Sequence, residues 1–160
     1  MRVGFGFDAH ALVVGRPLIL AGVAVPFERG LAGFSDADVA THAVVDALLG
    51  AAGLGDCGTH FPAGDNRYAG ADSVALLRRS VELVRHAGLR ICNVDCTIVA
   101  EAPPLAEYVE RMRQTLAAAM QLDVSLVSVK AKRTEGLGFT GEGKGMAAYS
   151  AACLQEEASR

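Results

Sequence analysis

One short stretch constrains this chain more than any other. Val3-Gly4-Phe5-Gly6-Phe7-Asp8-Ala9-His10 alternates residue by residue, which is the pattern of a β-strand with two unlike faces. Gly4, Gly6, Asp8 and His10 share one of those faces. A carboxylate and an imidazole therefore project together from the C-terminal end of the strand, with two glycines leaving room beside them. A strand offers two ligands to zinc in this way. Read alone, Asp-x-His describes a satisfied polar pair or surface decoration equally well.

The rest of the chain alternates strand-like and helix-like segments. Arg16 to Pro26 reads as a second strand or hairpin arm, and Ser35 to Gly53 as an Ala/Leu-rich helix, with Ser35 and Asp38 spaced as a capping box. Asp56 to Gly70 reads as a long loop. Asp72 to His86 is predicted to be a second helix that stops at Gly88. Ile91 to Ala100 reads as a strand, Leu105 to Leu122 as a third helix opened by Pro103-Pro104, Val124 to Lys130 as a strand, and Met146 to Leu154 as a closing strand of small residues. No strict βαβ rhythm runs through these segments. The expected class is α+β, one domain over residues 1–160, with a mixed sheet and helices on one of its faces.

Composition narrows the function. Hydrophobic residues make up 51% of the 160 and charged residues 21%, enough for a real core and too apolar for a disordered tail. The formal charge of −3 argues against a nucleic-acid-coating role. No apolar run approaches the ~20 residues that span a bilayer, and the N-terminus reaches Asp8 too soon for a signal peptide. Cys57, Cys92, Cys96 and Cys153 form no CxxC pair and read as reduced thiols of a cytoplasmic protein.

Two further constellations carry chemistry. His42 lies one turn into the Ala-rich helix, where it adds a third candidate zinc ligand, and Asp46 follows one turn later with the spacing to orient the imidazole. Two imidazoles and a carboxylate with a fourth position left open is the shell of a catalytic zinc. On this stretch alone the plainer reading, a half-buried helix histidine bonded to a neighbour, is favoured. Lys130-Ala131-Lys132-Arg133-Thr134-Glu135 then ends a strand in three basic residues, a hydroxyl and a carboxylate before a glycine loop. That mixture suits a phosphate and a hard cation, or a solvated charged tip.

Several stretches occur in one order: Gly6 to His10, Ser35 to Asp38 with His42, Asp46 to Ala51, Gly55 to Gly58 with Phe61-Pro62, Asn93 to Asp95 with Ala102-Pro103, and Lys130-Ala131 with Glu135 and Leu137 to Phe139. Together they resemble the 2-C-methyl-D-erythritol 2,4-cyclodiphosphate synthase family of the non-mevalonate isoprenoid pathway, over essentially the whole chain. The resemblance implies a lyase that cyclises 4-diphosphocytidyl-2-C-methyl-D-erythritol 2-phosphate and releases CMP. It implies Asp8, His10 and His42 as ligands of one Zn²⁺ per chain, and Glu135 as the ligand of a Mg²⁺ or Mn²⁺ held with the substrate diphosphate. Substrate contacts are implied at Asp8, His10, Phe34, Ser35, Asp56, Gly58, Phe61, Asp65, Ala100, Pro103, Ala106, Lys132, Arg133, Thr134, Glu135, Phe139 and Glu142. Lys132 and Arg133 stand as the catalytic candidates. The resemblance further implies a homotrimer around a sheet-lined core, with active sites between neighbouring subunits.

The chain departs from the family pattern at particular positions. Phe34 stands where the family has a histidine, Arg133 where it has a hydroxyl, Pro104 where a lysine is common, and Glu142 with Lys144 reverse the usual order of charges. A trimer that binds cytidine or isoprenoid diphosphates without turnover, and a zinc phosphoesterase, are the alternatives these residues leave.

Overall fold

The computed structural model describes residues 1–157. In chain order it runs β1 (Arg2–Val14), β2 (Leu18–Leu20), β3 (Val23–Val25), β4 (Arg29–Leu31), α1 (Val39–Ala52), α2 (Cys57–His60), α3 (Ser73–His86), β5 (Leu89–Val99), α4 (Val109–Met120), β6 (Val127–Lys132), α5 (Gly138–Gly141) and β7 (Gly145–Glu156). Five strands form one sheet in the order β4-β1-β7-β5-β6, and β2 with β3 forms a separate hairpin. β1 and β5 both lie antiparallel to β7, while β6 lies parallel to β5. The sheet is mixed and the class is α+β.

α1, α3 and α4 cover one face of the sheet. α1 is buried nearly all round, from Val39 to Ala52, because it lies between the sheet and α3. α3 buries only a stripe through Leu77, Val81 and Val84, the spacing of a surface helix. On β1 the even positions Gly4 and Gly6 meet α1 directly: a Cβ on Gly6 would stand 1.9 Å from the Ala43 carbonyl oxygen, and one on Gly4 1.9 Å from that of Ala47. The room left by the glycines is filled by a helix backbone.

The other face of the sheet is open. Val3, Phe5, Phe7 and Tyr149 are 72%, 67%, 46% and 42% exposed on it, and the Phe7 and Tyr149 rings stand 5.0 Å apart. β7 lies between β1 and β5 and divides its small side chains between the two faces: Ala148, Ser150 and Ala152 are buried, while Tyr149 and Ala151 are exposed.

Several local expectations need correction. α1 begins at Val39, and its cap is Asp38, so Ser35 makes no capping box. Asp38 accepts from Thr41 N and Thr41 Oγ1, and also from Ala21 N and Gly22 N at 2.8 and 2.6 Å. One buried carboxylate thus ties the β2–β3 turn to the start of α1. Burial pushes the Asp38 carboxyl up against the pull of those donors. The stretch from Asp56 to Gly70 holds α2, capped by Asp56, and a 3₁₀ turn capped by Asp65; the abundance of Gly and Pro hid these short Asp-initiated turns. The third helix starts at Val109 after a 3₁₀ turn, and β6 starts at Val127 because Asp123 caps a 3₁₀ turn over Val124–Leu126. Glu142 and Lys144 do not lie on a strand. They pair across the turn between α5 and β7.

Candidate metal centre and nucleotide groove

Asp8 and His10 leave the same face of β1, and α1, seated on Gly4 and Gly6, delivers His42 to them. Asp8 Oδ2 stands 2.8 Å from His10 Nε2 and 2.9 Å from His42 Nδ1, and the two nitrogens are 3.4 Å apart. Donors around a tetrahedral zinc with bonds near 2.0 Å stand ~3.3 Å from one another. The three atoms therefore approximate one face of such a tetrahedron, with a carboxylate and two neutral-capable imidazoles as the donor set. They form the only metal-ligating cluster of His, Cys, Asp and Glu found among the described residues. Burial pushes the Asp8 carboxyl up, but bonds and charge from His10 and His42 outweigh it and hold the group well below the usual carboxylate range. Burial works against a charged His42 in turn, and the Asp8 bond with the charges of Asp8, Asp38 and Asp36 carries that imidazole above its usual value.

The loop before α1 packs onto both imidazoles. Gly33 lies against the His10 ring. Ser35 Oγ is 3.2 Å from His42 Nε2 and accepts from Ala37 N at 3.1 Å. Arg16 forks across this loop, donating to the carbonyls of Gly33 at 2.7 Å and Ser35 at 2.6 Å. Phe34 sits between those carbonyls, 39% exposed. Sequence reading missed Ser73, the first residue of α3, whose Oγ is 2.9 Å from His42 Nε2. A serine 31 positions away leaves no spacing signal.

Asp46 does not orient His42. Its Oδ1 accepts from Cys57 N at 2.7 Å, because the side chain points along α1 toward α2. The carboxylate hangs the α2 segment, which Asp56 caps, from α1. Asp56 Oδ1 is occupied by Thr59 N and Oγ1, Asp65 pairs with Arg67, and Phe61 meets Tyr68 edge to face at 5.5 Å.

A second constellation lies across the sheet. Ala100, Pro103, Ala106, Lys132 and Arg133, with Leu105 and Val109, line a groove of about 500 Å³, a size suited to a nucleoside. Ala100 N donates to Lys132 O at 3.0 Å, which fixes the groove floor to the end of β6. Thr134, Glu135 and Glu142 lie beyond it on the loop around α5. Thr134 Oγ1 donates to Leu137 O at 2.8 Å, and Glu135 takes φ +52°. Phe139 returns toward β1 and lines a smaller cavity with His10 and Lys144.

The two constellations are separated within one chain. Asp8, Ala148, Ile98 and Ala131 form one row across β1, β7, β5 and β6, which places the triad and the groove ~14 Å apart at three strand spacings. α1 fills the sheet face between them.

Fold and site together define an α+β chain with a three-donor metal constellation and a separate nucleoside-sized groove. The chain belongs to the YgbB family, whose sequence pattern matches residues 1–155. The 2-C-methyl-D-erythritol 2,4-cyclodiphosphate synthase of Pelotomaculum thermopropionicum is 54% identical over 98% of this chain and 96% of its own length. Among solved structures, the bifunctional IspDF of Campylobacter jejuni superposes with a TM-score of 0.93 at 40% identity, over 97% of this chain and 42% of that longer one. The CDP complex of Plasmodium falciparum IspF superposes with a TM-score of 0.85 at 30% identity, over 98% of this chain and 96% of its own.

Proposed function

We propose that this chain converts 4-diphosphocytidyl-2-C-methyl-D-erythritol 2-phosphate to 2-C-methyl-D-erythritol 2,4-cyclodiphosphate and CMP, a lyase step of isoprenoid biosynthesis in the cytoplasm. The observation that carries it is the Asp8–His10–His42 donor triangle in a chain of this family. Asp8 Oδ2, His10 Nε2 and His42 Nδ1 would hold Zn²⁺, which supplies Lewis-acid polarisation of a phosphate oxygen. Glu135 is the protein carboxylate offered to a Mg²⁺ or Mn²⁺ that arrives on the substrate's diphosphate, since Mg²⁺ is commonly held by one carboxylate and several phosphate oxygens.

The residues of the chain bind and orient. Ala100, Pro103 and Ala106 would seat the cytidine, as the structural likeness to a CDP complex supports. Lys132, Arg133 and Thr134 would gather the diphosphate, and Ser35, at the loop before α1, the other phosphate. Asp56, Gly58, Phe61 and Asp65 would cover the erythritol. The 2-phosphate attacks the β-phosphorus, the bond to the CMP oxygen breaks, and CMP leaves with that electron pair. Nucleophile and electrophile belong to one folded substrate, so the protein need supply no nucleophile of its own.

The same reading includes a homotrimer. The triad and the groove lie ~14 Å apart with α1 between them, so a groove from one subunit facing a triad from the next would complete the site. The exposed Val3, Phe5, Phe7 and Tyr149 give the open sheet face something to bury against copies of itself.

Incubation with the substrate and Mg²⁺, followed by phosphorus NMR, tests the activity. A cyclic diphosphate with one CMP per turnover is expected. A linear monophosphate would make the chain a phosphoesterase, and no turnover would leave a binding protein. Light scattering should give three times the chain mass; a monomer with full activity removes the shared site.

A further inference from the structure

The imidazole nitrogen of His42 that faces away from Asp8 ends in a buried polar chain. Nε2 lies 2.9 Å from Ser73 Oγ. Ser73 is fully buried. Its hydroxyl donates in turn to Asp36 Oδ1, and its backbone N–H donates to Asp36 Oδ2 at 3.0 Å. Asp36 is itself held, with its N–H on Ala71 O at 3.0 Å and its Oδ1 accepting from Asp38 N at 3.2 Å. The hydroxyl proton points at a carboxylate, so the Ser73 lone pairs are left facing His42 and Nε2 carries the hydrogen, with Ser35 Oγ as its more distant second neighbour at 3.2 Å. Nδ1 is then the nitrogen free to bind a metal.

We propose that Ser73 and Asp36 are positioning residues for the metal centre: a carboxylate–hydroxyl–imidazole relay that fixes the tautomer and the ring plane of His42. Metal-bound histidines commonly give their second N–H to a carboxylate, and loss of that partner costs about 10–100-fold in metal affinity. Here a serine is interposed between the imidazole and the carboxylate. Asp46, the carboxylate with the right spacing on α1, is bonded to Cys57 instead. The relay also joins the starts of α1 and α3, so the register of one helix against the other sets the angle of a ligand.

The inference rests on the metal reading of the triad. It is tested on the full chain with Zn²⁺ by chelator competition, and with Co²⁺ by its visible ligand-field spectrum. Ser73→Ala should weaken Zn²⁺ about 10–100-fold and alter the Co²⁺ band, while helix α3 keeps its cap, since Asp72 accepts from Val74 N. Asp36→Asn should weaken Zn²⁺ as well, and answers the question if Ser73→Ala does not fold. Asp46→Asn, which removes a carboxylate outside the relay, should weaken Zn²⁺ less than either and leave the Co²⁺ band unchanged. Folded Ser73→Ala and Asp36→Asn with wild-type affinity and wild-type Co²⁺ spectra would overturn the relay. Absence of Zn²⁺ binding by the unaltered chain would instead overturn the metal reading. The ¹⁵N shifts of His42 in metal-free protein then decide the relay alone: a hydrogen on Nε2 is expected, with or without a second one on Nδ1 toward Asp8, and a bare Nε2 refutes it.

Discussion

Gly6 and Ala43 touch backbone to backbone. A single methyl group on Gly6 would stand 1.9 Å from the Ala43 carbonyl oxygen, far inside van der Waals contact. His42 precedes Ala43, so the spacing of β1 and α1 at this point also sets how closely His42 approaches Asp8.

Gly6→Ala is therefore expected to lift α1 from the sheet. Overpacking of this kind costs about 1–3 kcal/mol, and rigid backbone on both sides puts this site at the upper end. The variant should show a lower urea midpoint together with weaker Zn²⁺ binding. An unchanged midpoint would mean the helix yields without cost.

His42→Ala should remove one donor of three and leave the fold standing. Metal analysis of the purified variant should show Zn²⁺ content well below one per chain, with turnover lost and the far-ultraviolet spectrum retained. Full occupancy would refute the ligand assignment.

Arg16→Gln should loosen the loop that touches both imidazoles. Two charge-assisted bonds to carbonyls are lost, each with a net contribution of roughly 1.5 kcal/mol or more. A drop in thermal midpoint and faster Zn²⁺ release to a chelator are expected together. A drop in midpoint with unchanged release would confine Arg16 to a structural role.

Phe34 and Arg133 make a coupled case. The chain lacks an imidazole at the first position and gains a planar cation at the second, and the two lie on opposite constellations of one chain. In the shared site of a trimer, Arg133 would supply the donor that Phe34 cannot. Arg133→Thr is expected to lower kcat about 10²-fold, the usual weight of one transition-state donor, and Phe34→His with Arg133→Thr to restore it. A neutral Arg133→Thr would end the idea.

Alkaline pH should destabilise the chain through two thiols. Burial, reinforced by nearby carboxylates, pushes Cys57 and Cys96 from a usual 9.0 up to about 12. Between those values the unfolded chain gives up protons that the folded chain keeps, so stability falls as pH rises from about 9 toward 12. Cys57→Ala with Cys96→Ala should flatten the urea midpoint over that window. An equally steep fall in the double variant would assign it to other groups.

Strand and helix periods made the positions of Asp8, His10 and His42 legible in the sequence, but only the family resemblance joined them as one set of ligands. Asp8 and His10 share a face by alternation, and His42 sits one turn into an Ala-rich segment. What lay beyond sequence reading was long-range. Asp46 has the spacing of an imidazole partner, but its bond to Cys57 depends on where α2 hangs. Ser73 approaches His42 only because α1 and α3 start side by side. The short helices at Cys57 and Gly138 and the delayed start of β6 follow from single capping carboxylates or glycine turns, too local to rise above the loop composition around them. Phe5 and Phe7 read as strand residues, but which sheet face they occupy was decided by the helix that Gly4 and Gly6 admit.

The place of β7 between β1 and β5 governs when the sheet can exist. β7 comes after every other strand in chain order, yet β1, the first, has no other long partner, since β4 spans only Arg29–Leu31. Until β7 docks, helices and hairpins can form, but the edges of β1 and β5 that face it stay unpaired. The sheet therefore closes through its most sequence-distant pairing, Arg2 against Leu154, and folding is slowed by the loop that this pairing must close.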